Sequence, residues 1–92
     1  MPLLKVKLSL PEISKSSSCN VRTKGTEILS SAIGKSPDFV MVIVESGVPA
    51  SFGGNLTESC AYLEVKNVGE LSPEITGKLS QSLGGLMEKE FG

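Results

Sequence analysis

The chain has 92 residues, of which 9 are basic and 10 acidic, and its formal net charge is −1. This length allows one domain, which we expect to span residues 1–92. Histidine is absent, which excludes Ser-His-Asp triads, Cys-His dyads and histidine metal sites. We expect no metal and no cofactor. The sequence has no basic run for nucleic acid, no apolar stretch near the ~20 residues of a membrane span and no signal-peptide core.

The two cysteines, Cys19 and Cys60, are too few for a disulfide framework. A reducing compartment is therefore expected, and we predict a cytoplasmic location. The mean hydropathy of +0.11 is high for a small isolated domain. It indicates that apolar surface is buried between subunits.

The first notable feature in chain order is Pro2, directly after Met1. Residues 3–10 alternate between apolar and polar, and we predict a half-buried strand that ends at Pro11. Its buried side would carry Leu4, Val6, Leu8 and Leu10. Removal of Met1 would leave a secondary amine at the start of this strand. Burial would lower its pKa and favour the neutral form that acts as a general base. A Met-Pro start is also common in chains without such a role.

The next segment, residues 12–20, is polar and rich in serine, and it predicts a loop or a frayed helix start. From about Val21 to Ile33 the apolar spacing becomes helical. Gly34 suits the end of this helix, and Pro37 prevents its continuation. Gly25 is expected to weaken the first turns.

Residues 39–44 are nearly continuously apolar and β-branched, which is typical of a central strand buried on both faces. After turns at residues 47–49 and 51–55, residues 60–65 alternate and predict a third strand. Ser72 is the predicted N-cap of a second helix, with Pro73 as its first residue and its end near Phe91. Residues 84 and 85 are both glycine and lower the helix propensity. Close approach to the sheet would be one compensation.

The order of the predicted elements is strand, helix, strand, strand, helix. This order predicts an α+β fold of tandem β-α-β units, with a mixed sheet and two helices on one face. The second unit has no closing strand among the predicted elements. One sheet edge would then stay open, and we expect another chain to cover it.

Five segments share their order and spacing with a known family. They are residues 1–4 (Met-Pro-Leu-Leu), 34–37 (Gly-Lys-Ser-Pro), 39–42 (Phe-Val-Met-Val), 51–54 (Ser-Phe-Gly-Gly) and 68–69 (Val-Gly). Together they resemble the macrophage migration inhibitory factor family of the tautomerase superfamily. The resemblance covers nearly the whole chain and is poor over residues 12–27.

The resemblance implies a homotrimer whose sheets extend across the subunit interfaces. It also implies keto–enol tautomerisation of a small aromatic 2-oxo acid such as phenylpyruvate, with dopachrome-type compounds as further substrates. Carried over by position, Pro2 is the catalytic base. Lys35, Val68, Leu3 and Phe39 are the substrate-binding residues.

Other interpretations remain open at this point. The family's closing strand and aromatic tail have no counterpart after Gly92, and a retained Met1 would acylate the Pro2 nitrogen. The alternative is a catalytically inactive, cytokine-like module that binds a protein receptor and is secreted without a signal peptide. A third interpretation is a chain with neither a stable trimer nor activity. Taken singly, Lys35 fits a solvated lysine at a helix end, and Val68 and Phe39 fit core residues.

Overall fold

The computed structural model describes residues 2–55, 59–67, 69 and 71–92. In chain order the elements are β1 (Leu3–Leu8), α1 (Lys15–Ile33), a 3₁₀ turn (Pro37–Phe39), β2 (Met41–Glu45), β3 (Ala61–Lys66) and α2 (Pro73–Phe91). The strands form one sheet in the order β2-β1-β3. Strand β1 pairs in parallel with β2 and antiparallel with β3. The predicted α+β fold with a mixed sheet is confirmed.

The central strand of the sheet is β1. Its alternation places Leu4, Val6 and Leu8 under the helices, where each is at most 2% exposed. The strand ends before Leu10, although the Ser9 N–H still donates to the carbonyl oxygen of Cys60 at 3.0 Å. Strand β1 therefore supplies the sheet side of the core.

The prediction of a central strand over residues 39–44 is wrong in two respects. Strand β2 begins at Met41, because Phe39 belongs to a 3₁₀ turn in which the Ser36 side chain accepts a hydrogen bond from the Asp38 N–H. Among the described strands only β1 pairs with β2, so β2 lies at an edge. Its middle residues are half-buried and its two ends are exposed.

Helix α1 begins earlier than the predicted start at Val21. Its N-cap is Ser14, whose hydroxyl oxygen accepts a hydrogen bond from the Ser17 N–H at 3.0 Å. A serine in this position satisfies one of the free N–H groups of the first turn. The serine-rich segment is thus the start of the helix. The predicted end is confirmed, because Gly34 adopts φ 75° and donates its N–H to Ser30.

Gly25 packs α1 closely onto the sheet. A Cβ built at this residue would lie 2.9 Å from Leu4 Cδ2 and 3.7 Å from Val42 Cγ2. The expectation that Gly25 only weakens the helix is therefore incomplete. The close approach suggested for Gly84 and Gly85 is wrong. A Cβ at either residue would meet no described atom within 4 Å outside its own helix backbone and chain neighbours.

Helix α2 follows its prediction closely. Ser72 accepts a hydrogen bond from the Ile75 N–H at 3.2 Å, and Pro73 is the first helical residue. The buried face of this helix consists of Leu79, Leu83, Leu86 and Met87. These side chains join the same core as those of α1 and β1, so both helices lie on one face of the sheet. No helix in the described part of the chain is long and apolar enough to cross a membrane.

Candidate active site

The topology gathers three chain segments at one end of the sheet. Strand β2 runs parallel to β1, so both strands begin at this end, and the antiparallel strand β3 finishes there. The pairing of Leu3 with both Met41 and Lys66 marks this end. The residues just before β1, just before β2 and just after β3 therefore become neighbours.

Pro2 occupies the position just before β1. Its side chain is less than 2% exposed, and its carbonyl oxygen accepts a hydrogen bond from the Met41 N–H at 2.9 Å. The backbone of Pro2 is thus fixed to the start of β2. A proline ring with a fixed φ and a bonded carbonyl has little freedom to move.

Apolar side chains surround the start of β2. Leu3 is half-buried, whereas Phe39 is 62% exposed and Met41 is 47% exposed. Phe39 is held by the 3₁₀ turn, in which its N–H donates to the carbonyl oxygen of Ser36 at 3.0 Å. Phe39 is therefore not the buried strand residue of the simplest interpretation. It is an exposed apolar side chain two residues before Met41, whose N–H donates to Pro2.

Lys35 lies in the connection between α1 and the 3₁₀ turn, outside the helix. Its carbonyl oxygen accepts a hydrogen bond from the Ser30 hydroxyl at 2.6 Å, and its side chain is exposed. Within the described residues no hydrogen bond or ion pair joins Lys35 to Pro2. Val68, the remaining predicted substrate-binding residue, lies outside the described residues.

Asn67 follows β3 directly, and the sequence analysis assigned it no role. The antiparallel register that pairs Leu3 with Lys66 continues to Pro2 and Asn67. The side-chain oxygen of Asn67 is buried and has no hydrogen-bond partner among the described residues. Asn67 lies opposite Pro2 because of the strand register. The residues around Asn67 in the sequence do not predict this position.

The face of the sheet opposite the helices carries a polar cluster on β3. The Tyr62 hydroxyl donates to Glu64 at 3.0 Å, and Lys66 Nζ lies 3.4 Å from the same carboxylate. The hydrogen bond to Glu64 raises the pKa of Tyr62. The bonds from Tyr62 and then Lys66 lower the pKa of Glu64. Both pKa shifts lead away from neutral pH, so Tyr62 stays neutral and Glu64 stays charged there.

Comparison with known proteins agrees with this fold. The sequence profile of the macrophage migration inhibitory factor family matches residues 1–92. A macrophage migration inhibitory factor homolog of Brugia malayi is 27% identical over 91 residues, which cover 99% of this chain and 76% of the relative.

Solved structures give the same result. The crystal structure of Leishmania major MIF2 matches with a TM-score of 0.90 and 27% identity, covering 100% of this chain and 78% of the other. A macrophage migration inhibitory factor homologue from Prochlorococcus marinus matches with a TM-score of 0.83 and 31% identity, over 95% of this chain and 74% of the other. The chain therefore belongs to the macrophage migration inhibitory factor family.

Proposed function

We propose that this chain is a keto–enol tautomerase of aromatic 2-oxo acids, such as phenylpyruvate, with the Pro2 nitrogen as its general base. The observation that carries the proposal is the position of Pro2. Its ring is buried at the start of the central strand, and its carbonyl is bonded to Met41. A general base must be held rigidly and kept largely neutral at the working pH, and burial favours both conditions.

The reaction requires one proton to move from carbon to oxygen. With Met1 removed, the neutral amine of Pro2 takes the proton from the carbon next to the carbonyl and becomes charged. The electron pair of the broken C–H bond forms the enolate. The same nitrogen then returns the proton to the enolate oxygen, and the base is regenerated. One amine whose pKa lies near the working pH performs both steps.

The other predicted residues have roles in binding. Lys35 would attract the substrate carboxylate as a flexible cation. Leu3 and the exposed ring of Phe39 would contact the aromatic ring of the substrate. The backbone N–H of Val68 would donate to the carboxylate or to the developing enolate.

We further propose that the active protein is a homotrimer. Strand β2 is an edge strand in the described sheet, and Phe39 and Met41 beside it are 62% and 47% exposed. Unpaired edge groups and exposed apolar side chains are both covered when a neighbouring subunit extends the sheet.

A cytokine-like binding module with a protein receptor is the second candidate. Large exposed side chains favour it, since Phe52 is 71% exposed and Tyr62 is 56% exposed. Aromatic side chains of this kind are enriched in protein interfaces. This candidate predicts a stable assembly without tautomerase activity.

The test compares two forms of one sequence. Intact mass first separates protein that has lost Met1 from protein made while methionine removal is inhibited. We expect phenylpyruvate tautomerase activity only in the form without Met1, because acylation removes the basicity of Pro2. The variant Pro2→Gly should lose most of the activity, whereas Lys7→Ala, within β1, should keep it. Equal activity in both forms would contradict the proposal, and an inactive but well-assembled protein would support the binding module.

A further inference from the structure

The buried side-chain oxygen of Asn67 needs an explanation. It has no hydrogen-bond partner among the described residues. A buried acceptor without a donor is destabilising, and native proteins hold few of them. Such a group often marks a site that acquires a partner in another state of the protein.

The strand register offers one candidate donor, the residue opposite Asn67. The register of β1 with β3 places Asn67 opposite Pro2, one step beyond the pair Leu3 and Lys66. Opposite residues of an antiparallel pair direct their side chains to the same face. Pro2 shares the helix-covered face with Leu4, so Asn67 is directed to that face as well.

The chemistry of proline decides whether this neighbour can donate a hydrogen bond. While Met1 is attached, the Pro2 nitrogen is a tertiary amide without a hydrogen and cannot donate. Removal of Met1 turns it into a secondary amine with one hydrogen, or two when it is protonated. That cleavage therefore creates a hydrogen-bond donor at the residue opposite Asn67.

We propose that Asn67 is a positioning residue, whose side-chain oxygen accepts a hydrogen bond from the Pro2 nitrogen after Met1 is removed. This inference rests on the proposed function only in requiring the free amine. The bond fixes the amine hydrogen and so directs the lone pair toward the substrate. It is stronger to the protonated amine than to the neutral one, so it holds the Pro2 pKa above the value that burial alone would give.

The experiment is a nitrogen-NMR titration of Pro2 in protein that has lost Met1, as checked by intact mass. Asn67→Leu removes the acceptor, and we expect the titration midpoint to move to lower pH by about one unit. Asn67→Asp replaces the amide with a carboxylate of the same shape and should move the midpoint to higher pH. Asn20→Asp adds the same charge at an exposed residue of α1 and should leave the midpoint unchanged.

Opposite shifts from one residue separate positioning from a general effect on folding. The charged side chains near this end of the sheet include Lys35, Asp38 and Lys66, and they are the same in every variant. Midpoints that do not respond to Asn67, or that move in one direction for both variants, would overturn the inference. A higher midpoint in Asn67→Leu would also overturn it, because the amide would then be donating.

The two proposals fail in different ways. An active enzyme whose Pro2 titration ignores Asn67 would overturn the positioning role and leave the tautomerase proposal intact. An inactive protein whose Pro2 midpoint moves in opposite directions in the two variants would overturn the tautomerase proposal and support the positioning role of Asn67. In an active enzyme, Asn67→Leu should lower kcat with little change in KM, since the bond acts on the base and not on the substrate.

Discussion

The two halves of the molecule differ in how closely the helix meets the sheet. In the first half, α1 lies on the parallel pair β1 and β2, and Gly25 leaves no room for a Cβ beside Leu4. In the second half, a groove of about 550 Å³ remains between β3 and α2, lined by residues that include Leu63, Val65, Leu79 and Leu83. Within the described residues, α1 therefore approaches the sheet closely, whereas apolar surface stays accessible between β3 and α2.

The largest expected effect comes from a buried leucine in the first half. Leu29 is 0% exposed, and Leu29→Ala should lower the free energy of unfolding by about 2–5 kcal/mol through lost burial and a residual cavity. Ile75, on α2, is only partly buried, so Ile75→Ala should cost clearly less. Urea denaturation of both variants measures the difference. Equal losses would contradict the contrast between the halves.

Two glycine substitutions test the same contrast, because we expect them to change the free energy of unfolding in opposite directions. Gly25→Ala should lower the free energy of unfolding by up to about 2 kcal/mol, because the overlap of the new methyl group with the buried Leu4 side chain outweighs the gain in helix propensity. Gly84→Ala should raise it by up to about 1 kcal/mol, since the position is open and alanine favours a helix. The denaturation midpoints of the two variants measure these changes in stability. Stabilisation by Gly25→Ala would show that α1 is not held against the sheet.

The helix caps should be equally important in both halves. Ser14 and Ser72 each accept a hydrogen bond from the backbone of the first turn. Ser14→Ala and Ser72→Ala should each lower the free energy of unfolding by about 1 kcal/mol. Ser16→Ala, at an exposed position within α1, serves as the control. If only Ser72→Ala lowers the free energy of unfolding, Ser14 is not a cap, and the predicted start of α1 at Val21 would be favoured.

The smallest expected effect concerns the exposed hydrogen bond between Tyr62 and Glu64 on β3, in the second half of the molecule. Tyr62→Phe removes the hydrogen bond that contributes most to the low pKa of Glu64, so that pKa should rise toward its ordinary value. The folded-state pKa of Glu64 lies below its unfolded value. Its small contribution to stability is therefore present above the unfolded pKa and lost as the pH falls through the folded one. Carboxyl NMR titration measures the change, and an unaltered Glu64 pKa would contradict it.

Local sequence rules predicted much of this fold. The alternation of β1, the end of α1 at Gly34 and the cap of α2 at Ser72 are confirmed, because each depends on residues close together in the chain. The early start of α1 was missed because a run of serines fits both a loop and an N-cap.

Long-range relations were not predictable in the same way. The edge position of β2 depends on the order of the strands in the sheet. Nothing in residues 39–44 indicates that order. The role of Gly25 requires knowing that Leu4 packs against it. For the candidate site, Pro2 was predicted from its place after Met1 and from the family resemblance. Asn67 becomes visible only once the strands are in register.

The titration of the Pro2 nitrogen in protein without Met1 tests the central claim most directly. We predict a pKa below the value of about 7.7–8.0 for an ordinary terminal amine, because burial disfavours the charged form. Phenylpyruvate tautomerase activity should rise with pH along the same curve, since the neutral amine is the base. An ordinary midpoint, or activity that does not follow this titration, would contradict the account.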